Sequence, residues 1–296
     1  MAPDIIIIDG NNVFHRMYFA HKDLTFTANG TTFYTGMLYG VIKDLILMKE
    51  KYPKAKIYYC LDSILPLKKR IMYDQYKANR SKKEDSFISA FGLTIQALTL
   101  LGVNIVKAQH YEADDLIYTI YLICKSDNMN PQKMLIVSND HDMYQMLRKG
   151  VRILHKKQKG IEEIVSKKMF VERFGISPRK YLQVMALTGC SGDNVPGIDG
   201  IAEKTAIKLL NKYENLIKLG INMHKIEGKI GENLRKDWEN VERNMKLLKL
   251  LEVESKDLSI MKKKPDLKSL KWLFKQVGFR QYLLPDNWKR IENITK

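Results

Sequence analysis

The chain has 296 residues, 45% of them hydrophobic, which is enough for one large core or two modest ones and excludes a disordered chain. A formal charge of +17 attracts polyanions through a long-range field and counterion release, so nucleic acid or an anionic surface is the expected partner. Three cysteines, Cys60, Cys124 and Cys190, without close pairing or metal-type spacing, argue against a disulfide framework and a zinc centre and favour a reducing compartment.

The opening Met-Ala-Pro-Asp lacks the basic and long apolar regions of a signal peptide, and no stretch is long enough to span a bilayer. A cytoplasmic protein without a membrane partner is therefore expected. The first strand candidate is the isoleucine run Ile5 to Ile8, which ends at Asp9. A helix is predicted over Gly36 to Glu50, followed by a second strand, Ile57 to Leu61, before Asp62. The stretch from Tyr76 to Leu93 begins polar and basic, with Lys77, Arg80, Lys82 and Lys83, and reads as an excursion from the domain body. Helical spacing is also present over Phe87 to Leu101.

Val103 to Val106 forms a third strand candidate, and a short loop then leads to Glu112, Asp114 and Asp115 at the start of a helix. Met134 to Val137 is the fourth, before Ser138, Asn139, Asp140 and Asp142. Short β-branched runs alternating with helices predict an α/β fold with a mostly parallel sheet flanked by helices. After about residue 165 the strand pattern fades, and Arg179 to Leu187, Glu203 to Tyr213 and Asn233 to Leu251 read as helices. The expected division is a core at 1–165 and a helical region at 166–296.

Residues 1–150 carry 19 basic against 15 acidic residues, a net +4, and residues 151–296 carry 31 against 18, a net +13. Acids are thus relatively concentrated in the first half. In parallel α/β sheets ligands bind beyond the carboxyl ends of the strands, where these acids fall. An acid after a strand or at a helix start is ordinarily a turn or cap residue. Three acids within Glu112-Ala113-Asp114-Asp115 exceed what a cap needs, and charge clusters of that kind mark sites. Hard divalent cations take oxygen ligands, and phosphodiester cleavage commonly uses two ions about 3.5–4 Å apart. Asp9, Asp62, Glu112, Asp114, Asp115, Asp140, Asp142 and Asp193 are the candidate ligands.

Gly189 to Ala206 joins two predicted helices through a Gly/Pro-rich turn, and amides exposed at such a turn can hold phosphate whatever the base sequence. A plain helix corner uses glycines too. Arg70, Tyr76, Lys77, Asn79 and Arg80 combine a stacking ring with cations, as single-strand binders do, although basic residues on a helix are commonly only solvated surface.

In this order, Ile-Ile-Asp-Gly-Asn-Asn around Asp9, the strand before Asp62, Tyr76-Lys77-Ala78-Asn79-Arg80, Glu112-Ala113-Asp114-Asp115, Ser138-Asn139-Asp140-His141-Asp142 and Gly192-Asp193-Asn194-Val195-Pro196-Gly197 resemble the 5′ nuclease family. That family includes phage flap endonucleases and the 5′-nuclease domain of bacterial DNA polymerase I. The resemblance runs from about residue 4 to 215. It implies a PIN-like nuclease core with a helical arch at about 76–93 and a helix-hairpin-helix-type motif at about 189–206.

It further implies that Asp62, Glu112, Asp114, Asp115 and Asp140 serve a first Mg²⁺, with Asp9 beside it, and that Asp140, Asp142 and Asp193 serve a second, Mn²⁺ being a possible substitute. Lys77 and Arg80 would steady the scissile phosphate. Arg70, Tyr76, Lys82, Lys83, Gly197, Gly200 and Lys204 would contact DNA, and the hairpin could hold K⁺. The implied activity is flap endonuclease and 5′-3′ exonuclease cleavage of branched or nicked DNA, and also of RNA–DNA hybrid, during primer or flap removal. The expected form is a stand-alone monomer, with replication proteins as possible partners.

Two departures from the family pattern are present. Cys190 stands where the family has an acid, which predicts weaker or more manganese-dependent binding of the second ion. Ala202 replaces a usual glycine of the hairpin. The alternative reading is a DNA-junction binding protein of the same fold with weakened cleavage. A related nuclease that prefers RNA is a third.

Overall fold

In the computed structural model, residues 2–28, 30–126, 133–157 and 160–295 are described. The first elements are β1 (Ile5–Asp9), α1 (Gly10–Ala20), β2 (Thr25–Ala28), β3 (Thr31–Tyr34), α2 (Gly36–Lys51), β4 (Lys56–Leu61), α3 (Lys68–Met72), α4 (Asp85–Leu100) and β5 (Asn104–Ala108). Then come α5 (Ala113–Ser126), β6 (Met134–Val137), β7 (Val151–Lys156), β8 (Glu162–Ser166), α6 (Lys167–Phe174), α7 (Tyr181–Thr188), β9 (Gly189–Cys190) and β10 (Val195–Pro196). The chain closes with α8 (Glu203–Tyr213), α9 (Leu216–Asn222), α10 (Gly228–Leu247), β11 (Leu258–Met261), α11 (Leu267–Gln276) and α12 (Pro285–Glu292).

Two compact units result, both discontinuous in sequence. The first comprises 1–64, 82–138 and 253–296, and the second 65–81 and 139–252. In the first unit the strand order is β11-β5-β4-β1-β6, parallel except for β11, which runs antiparallel to β5. Ile6, Ile7 and Ile8 have no exposure, as expected of a central strand covered on both faces, where β-branched side chains fit the pleat. α1, α4 and α5 pack on this sheet, and α2 packs on α1 and α4.

Residues 253–296 complete the first unit's core, whereas the expected division put them with the rest of 166–296 in a separate helical region. Leu270, Leu273, Phe274 and Ile291 are buried, the Tyr282 hydroxyl donates to the Tyr39 carbonyl at 3.3 Å, and Arg290 Nε reaches Glu50 Oε1 at 2.6 Å. A second difference concerns the excursion expected at 76–93. α4 begins at Asp85, and Phe87 and Ala90 are buried, so of residues 76–93 only 76–81 fall outside the first unit. The apolar spacing of α4 outweighs its basic leader.

The second unit holds the antiparallel pair β7–β8, which the sequence reading did not anticipate, and a ring cluster of Tyr144, Phe170, Phe174 and Tyr181. Asn244, fully buried on α10, donates to the carbonyls of Ala186 at 3.1 Å and Pro196 at 2.8 Å, pinning α7 and the turn after it. The β2–β3 hairpin and β11 were likewise not expected from sequence.

Candidate metal centre and nucleic-acid interface

The carboxyl ends of β1 and β4 lie side by side, with Asp9 in register with Cys60, so Asp9 and Asp62 come together although 53 positions separate them. Asp9 is the N-cap of α1. Its Oδ1 accepts from Asn12 N at 3.0 Å and its Oδ2 from the Ser138 hydroxyl at 2.9 Å. Asp62 is bound from both sides: its N–H donates to Asn11 Oδ1 at 3.0 Å, and its Oδ1 accepts from Ala113 N at 2.8 Å. That second bond ties the end of β4 to the first turn of α5, bringing in Glu112, Asp114 and Asp115. Asp115 Oδ2 accepts from Glu112 N at 3.3 Å, as a helix-start acid does.

Asp9, Glu112 and Asp115 are 6%, 2% and 1% exposed. Burial pushes the neighbouring Cys60 thiol well above its ordinary value, and the charges of Asp9 and Asp114 push it further. Carboxylates are costly to bury unless cations or donors compensate them, so this donor set is chemically suited to a hard divalent ion.

In the second unit, Asp140 caps the 3₁₀ turn His141–Met146 by accepting from Asp142 N at 2.8 Å. Ligand atoms of Asp142, Cys190 and Asp193 all lie within 4.8 Å of one another, a trio able to hold a metal. Burial raises the Asp142 carboxyl well above the usual carboxylate range, with Asp140 and Asp193 adding to the rise and Lys69 and Lys77 opposing it. The Cys190 thiol is pushed up to about 12, mainly by burial and then by Asp142 and Asp193, so at neutral pH it is a protonated and poor ligand for a hard ion.

Asp193 is held by the basic segment. Tyr76 Oη donates to its Oδ2 at 2.9 Å, Arg80 Nη2 to its Oδ1 at 2.9 Å, and Lys77 Nζ lies 3.5 Å from the same Oδ1. The two backbones are also joined: Lys77 N donates to Asp193 O at 2.8 Å, Asn79 Nδ2 to Ser191 O at 3.2 Å, and Asn194 Nδ2 to Gln75 O at 2.8 Å. Lys77 and Asn194 both adopt φ of 56°, a left-handed conformation that costs a non-glycine residue on the order of 1–2 kcal/mol and here is fixed by those bonds.

Tyr76 is 1% exposed, which corrects its assignment as a stacking surface for DNA. The ring is packed in the unit, and its hydroxyl orients an acid. Arg70, Arg80, Lys82, Lys83 and Lys204 are exposed. Lys83 Nζ lies 5.2 Å from the Phe87 ring centre. Gly200 is exposed at φ +76°, whereas Gly197 is half-buried and backbone-packed, since a Cβ there would sit 2.2 Å from the Thr188 carbonyl carbon. Sequence reasoning missed Lys69, a 4%-exposed lysine acting on Asp142, and Ser138, which holds Asp9. Ser138 stood within a quoted motif. Lys69 carried no signal, because a lysine in a basic run gives no sign of burial.

Residues 4–175 match the family model described as the 5′-3′ exonuclease N-terminal resolvase-like domain, and residues 176–268 match the 5′-3′ exonuclease C-terminal SAM fold. DNA polymerase I of Mycobacterium tuberculosis H37Rv is 33% identical over 253 residues, covering 84% of this chain; the chain spans only 27% of that relative's length. The 5′-3′ exonuclease of Bacillus subtilis strain 168 is 31% identical over 238 residues, with 78% of each chain covered. The bacteriophage T5 D15 flap endonuclease, crystallised with DNA and metal ions, superposes with a TM-score of 0.65 over 98% of both chains at 17% identity, a likeness of fold.

Proposed function

The chain belongs to the 5′-3′ exonuclease family, and from that premise we propose that it hydrolyses phosphodiesters near single-strand/duplex junctions of branched or nicked DNA. The observation that carries this reading is the convergence of Tyr76, Lys77 and Arg80 on Asp193, beside Asp142. Cations and acids interleaved in this way suit a site that must hold both divalent ions and a phosphate.

Asp9, Asp62, Glu112, Asp114 and Asp115 would hold one divalent ion. Asp140, Asp142 and Asp193 would hold another. Mg²⁺ is the natural ion for all-carboxylate ligands, with Mn²⁺ as a substitute. Bound ions supply a water acidic enough to attack at neutral pH and neutralise charge on the phosphate. Lys77 and Arg80, placed over Asp193, would turn toward the phosphate and fix its orientation. Lys69 lowers the cost of the buried Asp142 charge. Tyr76 keeps Asp193 aimed.

The exposed turn before α8, with Lys204, would track duplex phosphates, and its carbonyls could take K⁺. The substrates in this reading are displaced 5′ flaps and RNA primers still paired to DNA, and the enzyme acts as a cytoplasmic monomer alongside replication proteins.

The test is cleavage of an end-labelled 5′-flap duplex with Mg²⁺ and with Mn²⁺, comparing the protein with Asp114→Asn plus Asp115→Asn. Cutting near the junction that disappears in the variant is expected. The protonated Cys190 favours a second reading, a junction-binding protein with weak cleavage. Tight binding of a flap that stays whole under both metals would establish that reading instead.

A further inference from the structure

The first unit contains a cleft of about 610 Å³ at the amino ends of β4 and β5. Lys49 at the end of α2, Lys54 in the following connection and Lys56 at the start of β4 line it, with Lys262, Lys263 and Lys264 from the chain just after β11. Among the described residues none of the six forms an ion pair. Acids nearby are engaged elsewhere: Asp4 with Lys133, Glu50 with Arg290, and Asp266 with the N–H and hydroxyl of Ser269. Six unneutralised lysines around one concavity repel one another, and an anion would relieve that repulsion.

The lysine triplet is held at both ends. Met261 pairs with Ile105 of β5, and Asp266 N donates to Leu100 O at 2.8 Å. Between them, Gly102 at φ +71° lets the chain approach closely, since a Cβ there would meet Lys263 O at 2.8 Å. A solvated surface run needs no such anchoring.

The cleft also has apolar parts: exposed Pro53 and Pro265, above Ile57 and Val103. Its size falls within the range of roughly 300–1,000 Å³ typical of ligand pockets. It lies at the opposite end of β4 from Asp62, roughly 20 Å away at about 3.3 Å per residue. We infer that this cleft docks an acidic, apolar-bearing peptide segment of a partner protein, with carboxylates on the lysines and aliphatic side chains against the prolines. Compact point charges around a bounded apolar floor suit separate carboxylates better than a continuous phosphate backbone.

The test uses the full chain and a fluorescein-labelled octapeptide of alternating aspartate and leucine, read by anisotropy. Lys262→Glu, Lys263→Glu and Lys264→Glu together should weaken binding at least about tenfold, because charges facing the ligand are reversed. A control of equal net charge, Lys125→Glu, Lys275→Glu and Lys289→Glu on exposed positions outside the cleft lining, should weaken it less than about threefold, since charges that do not face the ligand are screened. Replacing the leucines of the probe by glycine should cost about fivefold or more through lost apolar contact. Flap cleavage by the cleft variant, whose altered residues are exposed and outside the metal groups, should stay within about twofold of the parent.

Equal loss in both triple variants, or equal affinity for the leucine-free probe, would reduce the cleft to nonspecific charge. A labelled oligonucleotide that loses affinity in parallel with the peptide would make it a nucleic-acid track. No binding of the peptide by the parent protein at millimolar concentration would equally overturn the inference.

Discussion

Tyr76 and Asp193, 117 residues apart in sequence, are joined by a 2.9 Å hydrogen bond from a phenol that is almost wholly buried to a carboxylate that is 13% exposed. Hydrogen bonds to charged groups contribute about 1.5–3 kcal/mol, but Lys77 and Arg80 still compensate Asp193 if the phenol is lost. Tyr76→Phe is therefore expected to cost about 1 kcal/mol of stability and to slow flap cleavage several-fold. Urea unfolding and single-turnover cleavage measure the two effects. An unchanged cleavage rate would show that the hydroxyl does not position Asp193.

Arg80 contributes through charge at the site more than through stability. Its side chain is 53% exposed, and exposed ion pairs contribute about 0–1 kcal/mol. Arg80→Ala should leave the unfolding midpoint almost unmoved while lowering flap cleavage about tenfold or more. A parallel fall in both would make it a structural residue.

Cys190 stands within the Asp142–Asp193 group as a neutral thiol. Cys190→Asp should shift the Mg²⁺ dependence of cleavage to lower concentration and narrow any Mn²⁺ preference, as a hard oxygen ligand replaces a soft one. Metal titration of the rate tests this, and no change in the midpoint would argue that Cys190 lies outside the ion's coordination. Without metal, iodoacetamide should modify Cys190 slowly at pH 8, because its thiol is raised to about 12.

Asp142 sets a pH dependence. Its carboxyl is raised in the folded protein by burial, then by Asp140 and Asp193, so the metal-free fold binds this proton more tightly than the unfolded chain does. The resulting stability is fully present below the unfolded value of about 4 and is lost as pH rises toward the folded value. A divalent cation that binds the ionised form offsets the loss. Thermal stabilisation by saturating Mg²⁺ should therefore be larger at pH 8 than at pH 5, and Asp142→Asn should diminish that difference.

Two hairpin glycines should respond differently to alanine. At Gly197 a Cβ would enter backbone space 2.2 Å from Thr188 C and 2.6 Å from Gly189 N, so Gly197→Ala should cost at least about 2 kcal/mol and loosen the turn. At Gly200 the space is open and only the φ of +76° resists, so Gly200→Ala should cost about 1 kcal/mol. Comparative chemical denaturation decides between them. Equal costs would mean that the hairpin shifts as a whole.

The parallel strands of the first unit were legible because they are short β-branched runs, and Met134 to Val137 appears at the predicted bounds. The acids that follow them were legible because charge clusters beyond capping needs are rare. β7, β8 and β11 were not. Val151 to Lys156 carries charges within its run, and Leu258 to Met261 sits among lysines. Such strands are specified by backbone pairing with partners distant in sequence, which local composition does not record.

The sequence by itself determined which residues are candidates for holding ions and phosphate, since candidacy depends on side-chain chemistry and on order along the chain. Only the tertiary structure decided what Tyr76, Lys69 and residues 253–296 do. Burial turned a stacking candidate into a hydrogen-bond donor, placed a lysine where its charge acts on Asp142, and returned the last 44 residues to the first unit's core. Burial depends on which surfaces meet after long-range contacts form, and apolar periodicity shows that a residue has a buried face without showing what covers it.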